Sequence, residues 1–447
     1  MNRLLAIIAI VFAIAFCFVG VPDGAIAMLV VGALSFGLVL VIRREEDDAL
    51  FLTNLFVVAL LVRLLLAAII FSFDLIEFFG PDAKTYMDVG KLISGIWNGT
   101  VDPTTPLARA VLRMNGPGWG MNYFSGMIYW VAGSNLLIGQ AICSFFGAAT
   151  VPVVYMCAKR IYSNREVARY SAIIIALFPS MIVWSSQFLK DGLMIFFLVL
   201  TMTMVLEIQK KLSLRSGAIL AFSLIAIFSL RFYIFYMVAA AVFGSFVVGF
   251  GSSTSTIVRR LAAVIFVGGA LAFFGIFQIA TDDFGRFATV DRFESSRKWA
   301  SDEAVSGFVK SGDGDIRTPL GALMVFPVGL TYLLLAPFPW QAVNFRQAVT
   351  IPEIFVWWAM LPLAVFGLYY TLRNRLRPAI PVLLFSSMLT VVYALFQGNV
   401  GTAYRQRTQI QVFLMIFVAV GWVLFRERRE NTEMLRMASR RRINIEN

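Results

Sequence analysis

Long unbroken apolar runs decide most of what this chain can become. Runs of about 17–25 apolar residues recur from the N-terminus to residue 425, each long enough to cross a hydrocarbon core of ~30 Å as a helix. Lipid offers no partner for a bare peptide group, so such runs must satisfy their own backbone, and helices do so. The chain is 59% hydrophobic with a mean hydropathy of +0.80, against roughly 45–50% apolar in soluble domains. The expectation is an all-α polytopic membrane protein with about 12–13 transmembrane helices. Two loops on its outer face carry short amphipathic helices. No stretch between the runs is long enough for a separate soluble domain.

Charge and residue usage narrow the function. The formal net charge is +12 over 447 residues. The lysines and arginines gather at run ends, as cytoplasmic anchors do, which argues against a nucleic-acid partner. Cys17, Cys143 and Cys157 lie inside apolar runs and read as small core residues. The chain has no histidine. That removes Ser-His-Asp and Cys-His catalysis and every His-based zinc site, leaving acid–base chemistry to Asp, Glu, Lys or Tyr. No cofactor is expected, and nothing supports a divalent metal.

Residues 4–20 carry only Arg3 ahead of a long core and lack a small-x-small cleavage site, so they read as a retained first helix. They pair with 25–42 through Val21-Pro22-Asp23-Gly24, making 1–44 a two-helix hairpin. Span 49–72 contains Arg63, an intramembrane arginine that needs a protein partner. A first outer loop covers 73–134, with a helix through Trp97, a turn at Asp102–Pro106, a broken Asn115-Gly116-Pro117-Gly118-Trp119-Gly120, and an interfacial stretch 123–132. Spans 135–158, 168–183 and one ending near 208 follow. Residues 217–250 are too long for one span and split at Arg231-Phe232-Tyr233. After a span at 258–280 comes a second outer loop, 281–318, with Asp282, Asp283, Arg286, Asp291, Arg292, Glu294, Arg297, Lys298, Asp302, Glu303 and Asp313. The run 319–336, interrupted by Pro327 and Gly329, either spans or re-enters. The last runs are 353–372, 379–396 and 409–425, with an outer loop at 398–407. Seven expected spans fall within 45–280, and 281–425 holds the second outer loop and the remaining runs. The tail 426–447, with seven arginines against four glutamates, is cytoplasmic.

The stretch Phe78-Phe79-Gly80-Pro81-Asp82-Ala83-Lys84-Thr85-Tyr86-Met87-Asp88-Val89-Gly90 opens the first outer loop. Asp82 and Tyr86 are four apart and share a helical face. The topology collects Asp82, Lys84, Tyr86, Asp88, Lys190, Asp191, Arg231, Tyr233, Arg405 and Arg407 on one outer face. Several cations beside a few carboxylates suit an anionic lipid headgroup. Arginine grips phosphate through a planar fork, lysine adds a point charge, and a carboxylate can take a proton from a hydroxyl. Blander readings stand beside this one. Lys190-Asp191 can be a salt-bridged helix end, Arg231 can snorkel, Arg405 and Arg407 can be lipid anchors, and Asp88 is more structural than catalytic.

A long span followed by Pro81-Asp82-Ala83, Tyr86 and Gly90 resembles the first outer loop of the GT-C membrane glycosyltransferases, which include protein mannosyltransferases and aminoarabinose transferases. Lys190-Asp191 after Pro179-Ser180 is similar to their third-to-fourth helix turn. The resemblance covers about 45–280, which it makes a seven-helix catalytic module with 281–425 as a variable part, and it implies a GT-C-like fold with Asp82 as catalytic base. It also implies an inverting transfer from a polyprenyl-phosphate-linked sugar to a glycan, lipid or protein acceptor. Lys84, Tyr86, Asp88, Lys190, Asp191, Arg231, Tyr233, Arg405 and Arg407 would then bind substrate. It places the protein in a bacterial inner membrane, among membrane lipids, with its active site on the periplasmic face. Ala83 stands where many members carry a second acid, no Asp-x-Asp lies in the second loop, and two extra helices precede the module. Two other readings remain open: a polysaccharide polymerase or ligase acting on polyprenyl diphosphate-linked glycans, and a lipid or polysaccharide transporter.

Overall fold

The computed structural model describes residues 2–113, 118–247, 289–302, 306–309, 314–342 and 344–446, with five isolated positions between 265 and 271. The expected span 258–280, Asn115-Gly116-Pro117, Asp282, Asp283, Arg286, Glu303 and Asp313 lie outside the described residues.

Helices account for nearly all of the fold. The N-terminal hairpin is α1 (Arg3–Cys17) and α2 (Asp23–Glu45), followed by α3 (Ala49–Ser72). The first outer loop folds as α4 (Ile76–Phe79), α5 (Asp82–Trp97), α6 (Pro106–Leu112) and α7 (Trp119–Ala132). Next come α8 (Leu136–Tyr162), α9 (Arg165–Leu177), α10 (Pro179–Ser185), α11 (Lys190–Lys210), α12 (Leu214–Leu230) and α13 (Phe232–Val247). The C-terminal part holds α14 (Val290–Asp302), α15 (Pro319–Leu335), α16 (Phe345–Ala348), α17 (Ile351–Asn374), α18 (Leu376–Phe396) and α19 (Val400–Glu446).

Among the described residues seven helices are long and apolar enough to cross a bilayer, and the bent pair α9–α10 adds an eighth. Four shorter apolar helices, α1, α12, α13 and α15, bring the possible crossings to twelve. The apolar windows of α8 and α11 are 89% and 83% buried and form the centre, whereas that of α2 is only 17% buried and faces outward. An all-round apolar helix belongs either in a protein interior or in lipid, and these two groups divide accordingly.

The bundle has two chemically different ends. At one, Asp48 is bonded by Arg165 and Arg169, Lys159 pairs with Glu46 at 2.7 Å, and Arg160 meets Glu207 at 2.6 Å. The Tyr162–Thr371 hydroxyl bond of 2.6 Å and the Arg426–Glu166 pair bring the last turn of α17 and the exit of α19 to that end. Arg373, Arg375 and Arg377 therefore lie on the same side as Arg426. The other end collects the α4–α5 corner, the α10–α11 turn, the α12–α13 break and the start of α19.

Two sequence expectations change, at 168–183 and 398–407, and the open run 319–336 takes a definite form. Residues 168–183 are not one straight span, because the chain bends by 56° between Leu177 and Pro179. Proline lacks the N–H that would bond the carbonyl four residues back, which leaves Ile175 short of a partner. Arg63 fills that gap, with Nη2 on the Ile175 carbonyl (3.2 Å), Nη1 on those of Ala176 (3.1 Å) and Ala59 (3.0 Å), and Nε on Ser185 Oγ (2.9 Å). The intramembrane arginine thus repairs a proline break. The 319–336 run is a continuous 17-residue helix despite Pro327 and Gly329. Residues 398–407 are not a loop either. Asn399 Oδ1 accepts from Gly401 N at 2.7 Å, and α19 starts at Val400.

Candidate active site

Glycine sets up the first contact. A Cβ on Gly80 would lie 2.4 Å from Gln187 Oε1 and 2.8 Å from Leu189 Cδ1. A side chain at position 80 would have to push aside the tips of Gln187 and Leu189, so glycine lets the α4–α5 corner dock closely on the α10–α11 turn. That docking brings Asp82, the first residue of α5, beside Lys190-Asp191 at the head of α11. Carboxylates at the first turn of a helix are favoured by its dipole, and both aspartates hold that position. On the other side, a Cβ on Gly118 would lie 3.0 Å from Lys190 Nζ.

Arg231 and Arg405 complete the cluster. Arg231 is the extended residue between α12 and α13, so its side chain enters from the break. Its Nη2 donates to Asp191 Oδ1 at 2.8 Å and its Nη1 to the Tyr233 hydroxyl at 3.0 Å. Arg405, in the second turn of α19, sits between two carboxylates. Its Nη1 donates to Asp82 Oδ2 at 2.7 Å, and its Nε and Nη2 lie 2.7 and 2.6 Å from Asp191 Oδ2. The ring of Trp184 lies under its guanidinium, 5.5 Å from centroid to Cζ. Asp191 is fully buried and Arg231 is 5% exposed, while the Asp82 side chain is 52% exposed. Lys190 makes no hydrogen bond or ion pair among the described residues. Asp82, Asp191, Arg231, Arg405 and Lys190 thus carry three positive charges against two negative ones.

Tyr86 shares the Asp82 face of α5, as the four-residue spacing predicts. Burial, with Asp191 and Asp82 adding, pushes its hydroxyl up to about 12, so it stays neutral as a donor. The other expected residues are not brought together. Lys84 pairs with Glu77 on the exposed surface, and Asp88 is exposed further along α5. Arg407 does not face the cluster as expected. Its Nη1 donates to the carbonyls of Leu334 (3.1 Å) and Ala336 (2.8 Å), closing the end of α15. The cause is helical pitch: residues two apart on a helix point about 200° apart. Sequence reading missed Trp184 and Gly80. An aromatic at the head of a polar turn and a glycine before Pro81-Asp82 were the available signals.

Two apolar cavities flank the cluster. One, of about 320 Å³, is lined by Phe232, Tyr236, Met237, Phe293 and Phe396, with Tyr233 toward Arg231. The other, of about 240 Å³, includes Phe79, Val183, Trp184, Glu353 and Tyr404. Tyr404 donates to Glu353 Oε2 at 2.8 Å. Among the described residues no group of three or more carboxylates or thiols gathers as a metal site.

An all-α polytopic membrane protein with a cation-rich charge cluster at one end of the bundle is what fold and site define. Residues 105–248, about a third of the chain, match the family profile of the dolichyl-phosphate-mannose-protein mannosyltransferases, a GT-C family, and bear out the GT-C resemblance. The match includes Lys190, Asp191, Arg231 and Tyr233 but not Asp82 or Arg405. The chain is also similar to the oligosaccharyltransferase AglB of Archaeoglobus fulgidus in complex with an inhibitory peptide and a dolichol-phosphate. Identity is 12% over 80% of this chain and 48% of that one, with a TM-score of 0.45. Against the apo form of the Archaeoglobus fulgidus oligosaccharyltransferase, identity is 13% over 79% of this chain and 48% of that chain, with a TM-score of 0.43. The chain thus spans about half the length of these solved structures. No curated protein matches it.

Proposed function

We propose that the protein is an inverting membrane glycosyltransferase. It moves a sugar from a polyprenyl-phosphate carrier to a glycan, lipid or protein acceptor on the outer face of a bacterial inner membrane, with its C-terminus in the cytoplasm. The surplus positive charge of the cluster carries this reading. A polyprenyl-phosphate sugar is a phosphodiester with one negative charge, which the cluster neutralises; a diphosphate-linked donor brings two. The family match over 105–248 supports the same class of donor.

In this reading the acceptor hydroxyl attacks the anomeric carbon from the face opposite the phosphate. Asp82 accepts the hydroxyl proton, and the bond between the anomeric carbon and the phosphate oxygen breaks. The leaving polyprenyl phosphate gains one negative charge as Asp82 loses one, so the net charge of the site is unchanged. Lys190, Arg231 and Arg405 stabilise the charge developing on phosphate in a partly dry setting. Asp191 orients both guanidiniums. The Phe232–Phe396 cavity takes the first isoprene units.

The test is transfer by purified protein in nanodiscs, with a labelled panel of polyprenyl-monophosphate sugars and total lipid-linked acceptors. Asp82→Asn should lower turnover by about 10²–10⁴-fold, the range for loss of a positioned base, while the carrier still binds. Undiminished turnover would remove Asp82 as base. Turnover only with diphosphate-linked donors would replace this reading by the polymerase one.

A further inference from the structure

Arg405 is a single guanidinium held by two carboxylates of unequal grip. Asp191 holds two of its nitrogens and is fully buried. Asp82 holds the third nitrogen from a half-exposed position. Trp184 covers one face. The oxygen of Asp82 that Arg405 occupies is on the carboxylate proposed as base. An anion entering beside Lys190 and Arg231 meets a guanidinium whose exposed partner among the described residues is Asp82.

We propose that Arg405 is a latch on the base: it pairs with Asp82 when the site is empty and passes to the phosphate when the carrier binds. This rests on the polyprenyl-phosphate reading above and adds a coupling to it. Before binding, Arg405 Nη1 occupies Asp82 Oδ2, so an acceptor hydroxyl cannot hand its proton to that oxygen. Once the phosphate takes the Nη1 donor, Asp82 is free to accept. Proton uptake then weakens whatever hold Asp82 retains, so Arg405 follows the charge growing on the leaving phosphate. Asp191 keeps its two contacts throughout and makes the exchange a local swing of one hydrogen bond. Arg231, pinned by Asp191 and Tyr233, has no such freedom. A base that stays latched until the donor is seated also protects against acceptor activation in an empty site.

The latch makes Asp82 a competitor of the phosphate. Removing it must tighten carrier binding while destroying turnover. The experiment is equilibrium binding of polyprenyl monophosphate, without acceptor, to full-length protein in nanodiscs. Asp82→Asn and Asp82→Ala should each tighten binding by roughly tenfold, the worth of one charge-assisted hydrogen bond discounted for exposure. A general field effect of removing a negative charge would give the same sign, so the cycle with Arg405→Gln decides. In that background the Asp82 substitutions should change affinity by less than twofold. Equal tightening with and without Arg405 overturns the latch and leaves the donor assignment standing, as does unchanged affinity in Asp82→Asn. No saturable binding by wild type or any variant overturns both.

Discussion

Asp191 shows how much rests on one side chain. It is fully buried and accepts from both Arg231 and Arg405. Removing one partner of a buried ion pair costs about 3–5 kcal/mol, because charge is left unpaired. Asp191→Asn should therefore lower the thermal midpoint in nanodiscs and abolish transfer; a wild-type midpoint would mean the arginines do not depend on it. At this scale the sequence showed residue types but not directions. Asp82 and Tyr86 were legible as a pair because helical spacing is local. Arg405 and Arg407 looked equivalent, yet they face opposite ways because they sit on α19 and not in a loop. Lys84 was legible as a charge, but Glu77 reaches it first.

Among the elements, the α9–α10 break positions the head of α11. Its cause, Pro179, and its repair, Arg63, are 116 positions apart in the chain. Arg63→Met should destabilise by about 2–4 kcal/mol, the penalty for orphaned carbonyls at Ile175 and Ala176. In a Pro179→Ala background the regained amide can take the Ile175 carbonyl, so the same substitution should cost less. Chemical or thermal unfolding of the four proteins measures that coupling, and strict additivity would show that Arg63 acts elsewhere. Pro179→Ala alone should keep stability but reduce transfer, because a straighter α9–α10 withdraws Lys190-Asp191 from Asp82. Gly80→Val should reduce transfer for the same reason, by forcing apart the corner that Gln187 and Leu189 fill.

For the whole molecule, the two ends predict different things. Arg165 and Arg169 hold the Asp48 carboxyl well below its usual range. A lowered folded value means that this contribution is complete above the unfolded value of ~3.9 and is lost as the pH falls below it. The thermal midpoint should drop steeply below about pH 4 in wild type and less steeply in Asp48→Asn. Sidedness is checked by single cysteines at Asn98 and Arg377 in a background lacking Cys17, Cys143 and Cys157. An impermeant maleimide should label Asn98→Cys only from outside and Arg377→Cys only from inside. Labelling of both from one side would contradict the two-ended bundle.

What was legible before folding follows from solvent. Lipid forces long apolar runs into helices, so the all-α class, the split at Arg231 and the N-terminal hairpin could all be read from local composition. The absence of histidine and the gathering of acidic and basic residues outside the runs pointed to Asp82, Lys190, Asp191 and Arg231. Partnership was not legible, because hydrogen bonds and ion pairs are made across sequence separations that composition does not encode. Asp82 and Arg405 are 323 residues apart and meet only because Gly80, Pro179 and the early start of α19 bring three helix ends together. Tertiary packing alone decided that Arg405 serves two carboxylates, that Arg407 closes α15, and that Lys190 pairs with no acid among the described residues.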